Sequence, residues 1–503
     1  MIRRPLLSVL VAAGLGGCAV GPDFERPAAP SSTRYAHDLP QVTSAAANPG
    51  ETTTPTAGQS QRFVDGLDIP AQWWMLFRSP KLDRLVGQAL AANPTVEAAK
   101  AALRQSRELS SAQWTAFLPS VQGDFQATRT KNATGSISSP ISNNDAYYSL
   151  YTTQLNLTYA PDVFGATRRA VEGAEAGIEV NRFQLEAVYL TLSSNVVVSA
   201  IAEASLRGQI AATERLLSIQ HALTDKVRAQ IALGTASQLD LLSQQAAEAA
   251  TAQTLPPLTK QLGQVRDGLT ALLGRLPDDQ PEETFQLSDL TLPSDLPVSL
   301  PSALVEQRPD IRQAEASLHA ATAAVGVTVA NFLPQISITA NTGSTGLHPD
   351  QLFSPTFGLW SVGANMTQTI FDAGSLLHKR RAADAAMEQA AAQYRSTVVL
   401  AFQNVADSLR ALAADADTLK AAAAAEAAAR RTFDLARRQY PLGTIPETAL
   451  LSGEQAWHQA EIALVQAEAN RYSDTAGLFQ ALGGGWWNRQ EEASDERGGS
   501  AHR

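Results

Sequence analysis

Residues 117–122 read FLPSVQ and residues 332–337 read FLPQIS, at a separation of 332 − 117 = 215 residues. The likeness runs backwards without a gap. NPTVEAAKAAL at 93–103 lies over RPDIRQAEASL at 308–318, setting Pro94 against Pro309, Val96 against Ile311, Ala99 against Ala314 and Leu103 against Leu318. A chance hexamer carries no flank in register. The chain is internally duplicated, with a unit far longer than a solenoid repeat. The first copy occupies 73–275 and the second 300–483, joined by a Pro/Asp-rich linker at 276–299.

Each copy predicts the same order of elements. A helix over 80–115, and again over 301–330, stops at the shared Leu-Pro, where Pro119 and Pro334 disfavour its continuation. The hydrophobic period then switches to two. Ile336, Ile338 and Ala340 alternate with Ser337, Thr339 and Asn341; Leu155, Leu157 and Tyr159 share one face, and Trp360, Val362, Ala364 and Met366 another. Each copy therefore predicts one antiparallel hairpin of strands about ten residues long, the length that crosses a bilayer. Tyr147, Tyr148, Tyr151, Tyr159 and Trp360 are candidates for interfacial girdles or for packing between copies.

From Ala166 to Leu233, and from Ser375 to Tyr440, there is no proline. As helices these stretches would reach roughly 100 Å each. Leu185, Leu192 and Leu206, then Ile210, Leu217 and Ile231, keep heptad-compatible spacing, so a coiled coil is expected. Both stretches end on one tripeptide, Leu233-Gly234-Thr235 and Leu442-Gly443-Thr444, with glycine where a left-handed turn past a helix end is needed. Return helices follow over 238–275 and 446–482, and Pro256-Pro257 must break the first.

The N-terminus, MIRRPLLSVLVAAGLGGC, pairs a basic start with a short apolar run and small residues before Cys18, the only cysteine of the 503 residues. That layout predicts a secretory signal over 1–17. The following segment, 18–72, is rich in Pro, Ser, Thr and Ala and predicts an extended, solvated lead-in; the tail 484–503 predicts disorder. One cysteine allows no intrachain disulfide and no thiolate metal site. A net charge of −10 with no basic run argues against nucleic acid. No later stretch reads as a transmembrane helix, so membrane crossing would fall to strands.

Two hairpins supply four strands, and an open sheet leaves backbone groups unpaired in lipid. Closure demands several copies. Two give eight strands and a filled interior; three give twelve and an aqueous lumen. The fold class expected is an α+β membrane channel-tunnel, a shared β-barrel of eight or twelve strands continuous with a coiled-coil α-helical barrel.

The segments GCAVGPDFERP, YAPDVFG, QTIFDAG, LPSALVEQRPDIRQAEASLHAA and the paired LGT turns make the chain resemble the TolC-like outer-membrane efflux factors, in their lipidated NodT/OprM-like branch. The resemblance covers nearly all of 18–486. It implies N-palmitoyl and S-diacylglycerol lipidation of Cys18, a location in the outer membrane of a Gram-negative bacterium, and a homotrimeric twelve-stranded β-barrel continuous with a periplasmic α-helical barrel. It implies as partners a periplasmic adaptor protein and an inner-membrane RND-type pump, with passive conduction of drugs and organic toxicants. The adaptor would dock at Leu233, Gly234, Thr235, Leu442, Gly443 and Thr444. Asp240, six residues past Gly234, would form a periplasmic gate of three carboxylates; Ala449 and Ser452 stand where some relatives carry aspartates in the second copy. A simpler role for Asp240 is a favourable charge near a helix start.

Enzyme chemistry finds little support. The seven histidines are scattered without HExxH-like spacing, and no GxxxxGK occurs, so no enzyme and no cofactor is expected. Two other functions stay open: a type I protein-secretion tunnel, and a non-conducting structural lipoprotein whose hairpins pack as soluble sheets.

Overall fold

The two hairpins form one sheet. In the structure of the chain, a computed structural model that describes residues 19–32, 34–35, 40–46, 57–131 and 147–489, strands β2 (Ser120–Lys131), β3 (Tyr147–Tyr159), β5 (Gln335–Gly346) and β6 (Gly358–Thr367) lie side by side in that order, every pair antiparallel. The junction between the copies is the β3·β5 pair, with Tyr159 opposite Ile338 and Asn156 opposite Asn341. A second, two-stranded sheet pairs β1 (Arg62–Asp65) in parallel with β4 (Asp295–Val298).

Nine α-helices are described: α1 (Pro80–Ala92), α2 (Pro94–Trp114), α3 (Ala166–Ala232), α4 (Gln238–Ala252), α5 (Leu255–Leu272), α6 (Pro301–Gln307), α7 (Pro309–Ala330), α8 (Ser375–Gln439) and α9 (Glu447–Ala481). The proline-free stretches are the 67-residue α3 and the 65-residue α8. The first return helix is interrupted between α4 and α5, with Pro256 in the opening turn of α5, and the second runs unbroken as α9.

The chain divides into two compact units, 1–27 with 102–181 and 314–394, and 28–101 with 182–313 and 395–503. The first contains the four-stranded sheet. The second has a core in which Trp73 stacks on Phe479 at 5.4 Å, Phe77 lies against Tyr472, and the Tyr472 hydroxyl donates to Leu290 O at 2.9 Å. At its centre Arg471, fully buried, donates to Ala57 O, Gln59 O, Thr43 Oγ1 and Gln61 Oε1.

Several expectations need correction. The opening helix of each copy is two helices, broken at Asn93 and Arg308, which take extended ψ of 124° because each precedes a proline. Asn93 Nδ2 donates to Leu272 O at 2.8 Å and Arg308 Nη1 to Ala481 O at 2.8 Å, so both breaks also cap a neighbouring helix end. The lead-in is not solvated throughout: Thr43, Ala46, Ala57, Gln61 and Ile69 are buried. The linker packs as well, through Phe285, Leu287, Leu290, Leu292 and Leu296. Residues 484–489 are ordered; Gly484 at φ +68° leaves no room for a Cβ against Leu190, and Trp486 meets Phe183 edge-on. Finally, α3 holds one 18-residue window apolar enough to cross a membrane by length and composition, with 39% of it buried inside the chain.

A two-faced sheet, two matched turns and an N-terminal strap

Antiparallel register places directly opposed side chains on one face. One face of the four-stranded sheet carries Val121, Phe125, Leu155, Leu157, Tyr159, Ile336, Ile338, Trp360, Val362 and Met366. Phe125, Trp360, Val362 and Met366 are 67%, 78%, 68% and 72% exposed, so these positions lie uncovered among the described residues. The other face carries Gln122, Asp124, Gln126, Gln154, Asn156, Thr339, Asn341 and Asn365. Asn156 Nδ2 donates to Asp124 there, and Thr152 and Thr345 share a hydroxyl contact at 3.1 Å. Of the candidate girdle aromatics, Tyr147, Tyr151, Tyr159 and Trp360 lie on the apolar face, whereas Tyr148 lies on the polar one. The outer edges of β2 and β6 have no strand partner among the described residues.

The two LGT tripeptides build the same cap. Gly234 and Gly443 take φ of +72° and +70°. Gly234 N donates to Ile231 O and Thr235 N to Gln230 O, both at 2.9 Å; Gly443 N donates to Tyr440 O at 3.0 Å and Thr444 N to Gln439 O at 3.5 Å. This is the Schellman pattern, which satisfies carbonyls orphaned at a helix end. Each threonine hydroxyl donates to the same glutamine carbonyl, Thr235 to Gln230 and Thr444 to Gln439, both at 3.0 Å. Glycine and threonine thus have backbone work to do. The leucines do not: Leu233 is 79% exposed and Leu442 75%.

Asp240 closes a capping box at the start of α4. Ser237 N and Ser237 Oγ each donate to Asp240 Oδ2 at 2.8 Å, and Asp240 N donates to Ser237 Oγ at 3.2 Å. These bonds from the Ser237 backbone and hydroxyl hold the Asp240 carboxyl below its ordinary value. The second copy has Pro446 at the matching cap and Ala449 at the matching acid position, but Glu447 stands at its first helical residue. Burial pushes the Glu447 carboxyl up, and the Asp240 charge pushes it further. The same two carboxylates, after burial, raise the Tyr440 hydroxyl, whose ring lies 5.8 Å from Lys226 Nζ. A second acid therefore does stand in the field of Asp240. Counting six residues from each glycine misses it, because Glu447 is only four residues past Gly443.

Cys18 lies outside the described residues, but its successors are firmly placed in the sheet-bearing unit. Val20 N donates to Phe164 O at 3.3 Å. The Arg169 guanidinium, with its side chain only 5% exposed, donates to Val20 O, Gly21 O, Asp23 Oδ1 and Glu172 Oε2. Phe24 stacks on His319 at 4.3 Å, and Arg26 pairs with Glu315 at 3.0 Å. A Cβ on Gly165 would sit 2.6 Å from Ala19 Cα, and one on Gly21 would sit 2.5 Å from Gly326 Cα. The quoted segments GCAVGPDFERP and YAPDVFG are thus two halves of one contact, which fixes residue 19 six residues from the end of β3.

The sequence pattern of the outer membrane efflux protein family matches residues 85–275 and 300–484. The chain is 28% identical to the pyoverdine export outer membrane protein OpmQ of Pseudomonas aeruginosa over 493 residues, covering 97% of each. It is 29% identical to the toluene efflux pump outer membrane protein TtgF of Pseudomonas putida over 499 residues, covering 97% of this chain and 98% of the relative. Among solved structures it is similar to the outer-membrane channel OprN, with a TM-score of 0.80, 28% identity and coverage of 93% and 100%. The MtrE outer membrane channel of Neisseria gonorrhoeae shares the fold at a TM-score of 0.78 and 24% identity, covering 93% and 99%. With matched blocks over most of its length, the chain belongs to the outer membrane efflux protein family.

Proposed function

We propose that three copies of this chain close one twelve-stranded wall in the outer membrane and conduct small molecules passively to the exterior. The observation that carries this reading is the sheet. Its apolar face displays Phe125, Trp360, Val362 and Met366, its polar face is lined with amides and hydroxyls, and neither edge has a strand partner among the described residues. A bare apolar face of this size is a liability in water and a requirement in lipid. Three copies leave room for a water-filled lumen behind the Gln, Asn and Thr face. The polar face disfavours a solid stalk, which would bury apolar residues on both sides.

The helices begin and end at the strand ends away from the hairpin turns, so α3 and α8 run into the periplasm and carry Leu233 and Leu442 towards an adaptor protein. An inner-membrane RND-type pump supplies the energy. Relatives that export pyoverdine and toluene support small organic molecules as cargo. Cys18, diacylated and N-palmitoylated, anchors the strap; acyl chains contribute about 0.8 kcal/mol per buried CH₂. Reconstituted protein is expected to run as a heat-sensitive trimer and to give stepwise conductance in planar lipid bilayers. A monomer that leaves bilayers sealed would falsify the channel.

Asp240 and Glu447 together supply the acidic field for a cation-sensitive constriction near the turns. Asp240→Asn keeps an acceptor for the Ser237 amide while removing the charge. Block by a multivalent cation in a bilayer recording is expected to weaken by roughly tenfold in this variant, and further with Glu447→Gln added. Unaltered block in both variants leaves Asp240 as a helix cap alone.

A further inference from the structure

We infer the residue-level register of the seam between copies: β6 of one chain pairs antiparallel with β2 of a second copy, with Asn365 opposite Gln126 of the neighbour. The inference rests on the channel reading above and adds the identity of the interface to it.

The duplication provides the map. Residues entering each hairpin correspond at an offset of 215, as FLPS at 117–120 lies over FLPQ at 332–335. Residues leaving each hairpin correspond at 443 − 234 = 209, which also sets Gly165 over Gly374 at 374 − 165 = 209. The structure checks both offsets at once. The pair Ser120 with Thr158 in the first hairpin maps to Gln335 with Thr367, and those two residues are opposed in the second hairpin. The hairpins are therefore equivalent, strand for strand.

The internal junction β3·β5 joins the exit strand of copy one to the entry strand of copy two. It opposes nine residue pairs, from Tyr151 with Gly346 to Tyr159 with Ile338. In a closed ring the only other junction is the exit strand β6 of one chain against the entry strand β2 of the next. The same offsets turn Tyr151 with Gly346 into Trp360 with Lys131, and Tyr159 with Ile338 into Gln368 with Gly123. All but Gln368 of these mapped residues already lie in β6 or β2.

The chemistry of the mapped pairs agrees with the map. Met366 falls opposite Phe125 and Ala364 opposite Ala127 on the apolar face. The amide pair Asn156 with Asn341 becomes Asn365 with Gln126, again two amides on the polar face. Thr128 falls where the internal junction has Gly343, and glycine stands opposite it at 363, so the backbone freedom moves to the other strand. A slip by one residue would turn Met366 and Trp360 to the lumen. A slip by two keeps the faces but sets Asn365 against Asp124 or Thr128.

Cysteine pairing separates these outcomes, because Cys18 is the chain's only native cysteine. Two consecutive matched pairs, Asn365→Cys with Gln126→Cys and Ala364→Cys with Ala127→Cys, are made in the full-length chain, since close and wide pairs alternate along a ladder. Mild oxidation in outer-membrane vesicles is expected to lock more than about half of the chains of at least one matched variant into covalent trimers on a denaturing gel. Pairs offset by two, Asn365→Cys with Asp124→Cys or with Thr128→Cys, are expected to lock fewer than about a tenth. Stronger locking in an offset pair overturns the register while lateral closure stands. No locking in any pair, from variants that are heat-sensitive trimers under reducing conditions, also overturns the register; no locking and no trimer overturns the channel reading itself.

Discussion

A chain carrying Leu233→Asp and Leu442→Asp is expected to fold, assemble and reach the outer membrane as the parent does, and to lose export entirely. The two turns separate structural need from surface display within three residues. Gly234 and Gly443 supply the left-handed backbone, and Thr235 and Thr444 donate twice to the carbonyl left open by the helix end. Leu233 and Leu442 make no such contribution, being 79% and 75% exposed. An acid in the last turn of a helix opposes the macrodipole by only about 0.3–1 kcal/mol, too little to unfold the chain. Docking would instead bury both leucines. Losing roughly 1 kcal/mol at each of two sites per copy, repeated around a ring, removes at least tenfold in affinity per copy. The measurements are drug susceptibility of a strain lacking the native gene and thermal stability of the purified protein. Sustained export with normal stability would remove the leucines from docking. Gly234→Pro with Gly443→Pro also predicts lost export, but proline can neither take φ near +70° nor donate the turn's amide bond, so the helix end is altered as well.

Most of the sheet and the long helices were legible in the sequence because they rest on strict periods. Alternation over Ile336, Ile338 and Ala340 fixes a face without knowledge of the partner strand, and the absence of proline over Ala166–Leu233 permits one helix. The pairing within each hairpin follows from duplication and the loops between its strands, whereas the β3·β5 junction joins strands far apart in sequence. What stayed hidden depends on long-range contacts between segments of low periodicity. The lead-in carries few apolar residues and reads as solvated, yet it is held by Arg471 from a helix more than four hundred residues away, through carbonyls that no side-chain pattern reveals. The helix breaks at Asn93 and Arg308 were available from the same proline rule applied at Pro119, but a proline in the first turn of a helix also permits continuity with what precedes it only at the cost of a kink, and the periodicity on either side masks the break. Glu447 was missed because equivalent charges in the two copies sit at different offsets from the turn.

Arg471→Met is expected to destabilise the helical unit by several kcal/mol, about 1–3 kcal/mol for each buried acceptor left without its donor. Its guanidinium meets Ala57 O at 2.8 Å, Gln59 O at 2.6 Å and Thr43 Oγ1 at 2.9 Å, and Gln61 Nε2 continues the network to Pro293 O and Thr475 Oγ1. Methionine fills the volume but offers no proton. Early proteolysis near Thr43 or within 57–61 and a lowered denaturant midpoint are the readouts. The loss should also depend on pH. Asp415 is pushed up to about 7 by burial and by the Asp474 carboxyl, and Arg471 pulls it back down. Between the ordinary carboxylate value of 3.8 and about 7 the folded chain keeps a proton that the unfolded chain has released. Stability therefore falls as pH rises through that window and levels off above it. Without Arg471 the Asp415 carboxyl rises further, and the decline extends to higher pH. The gap between parent and variant should accordingly be wider at about pH 8 than at about pH 5, and that widening should vanish when both chains also carry Asp415→Asn. A gap of equal size at both values would uncouple Arg471 from the acid pair and leave it as a hydrogen-bond donor to Thr43, Ala57, Gln59 and Gln61.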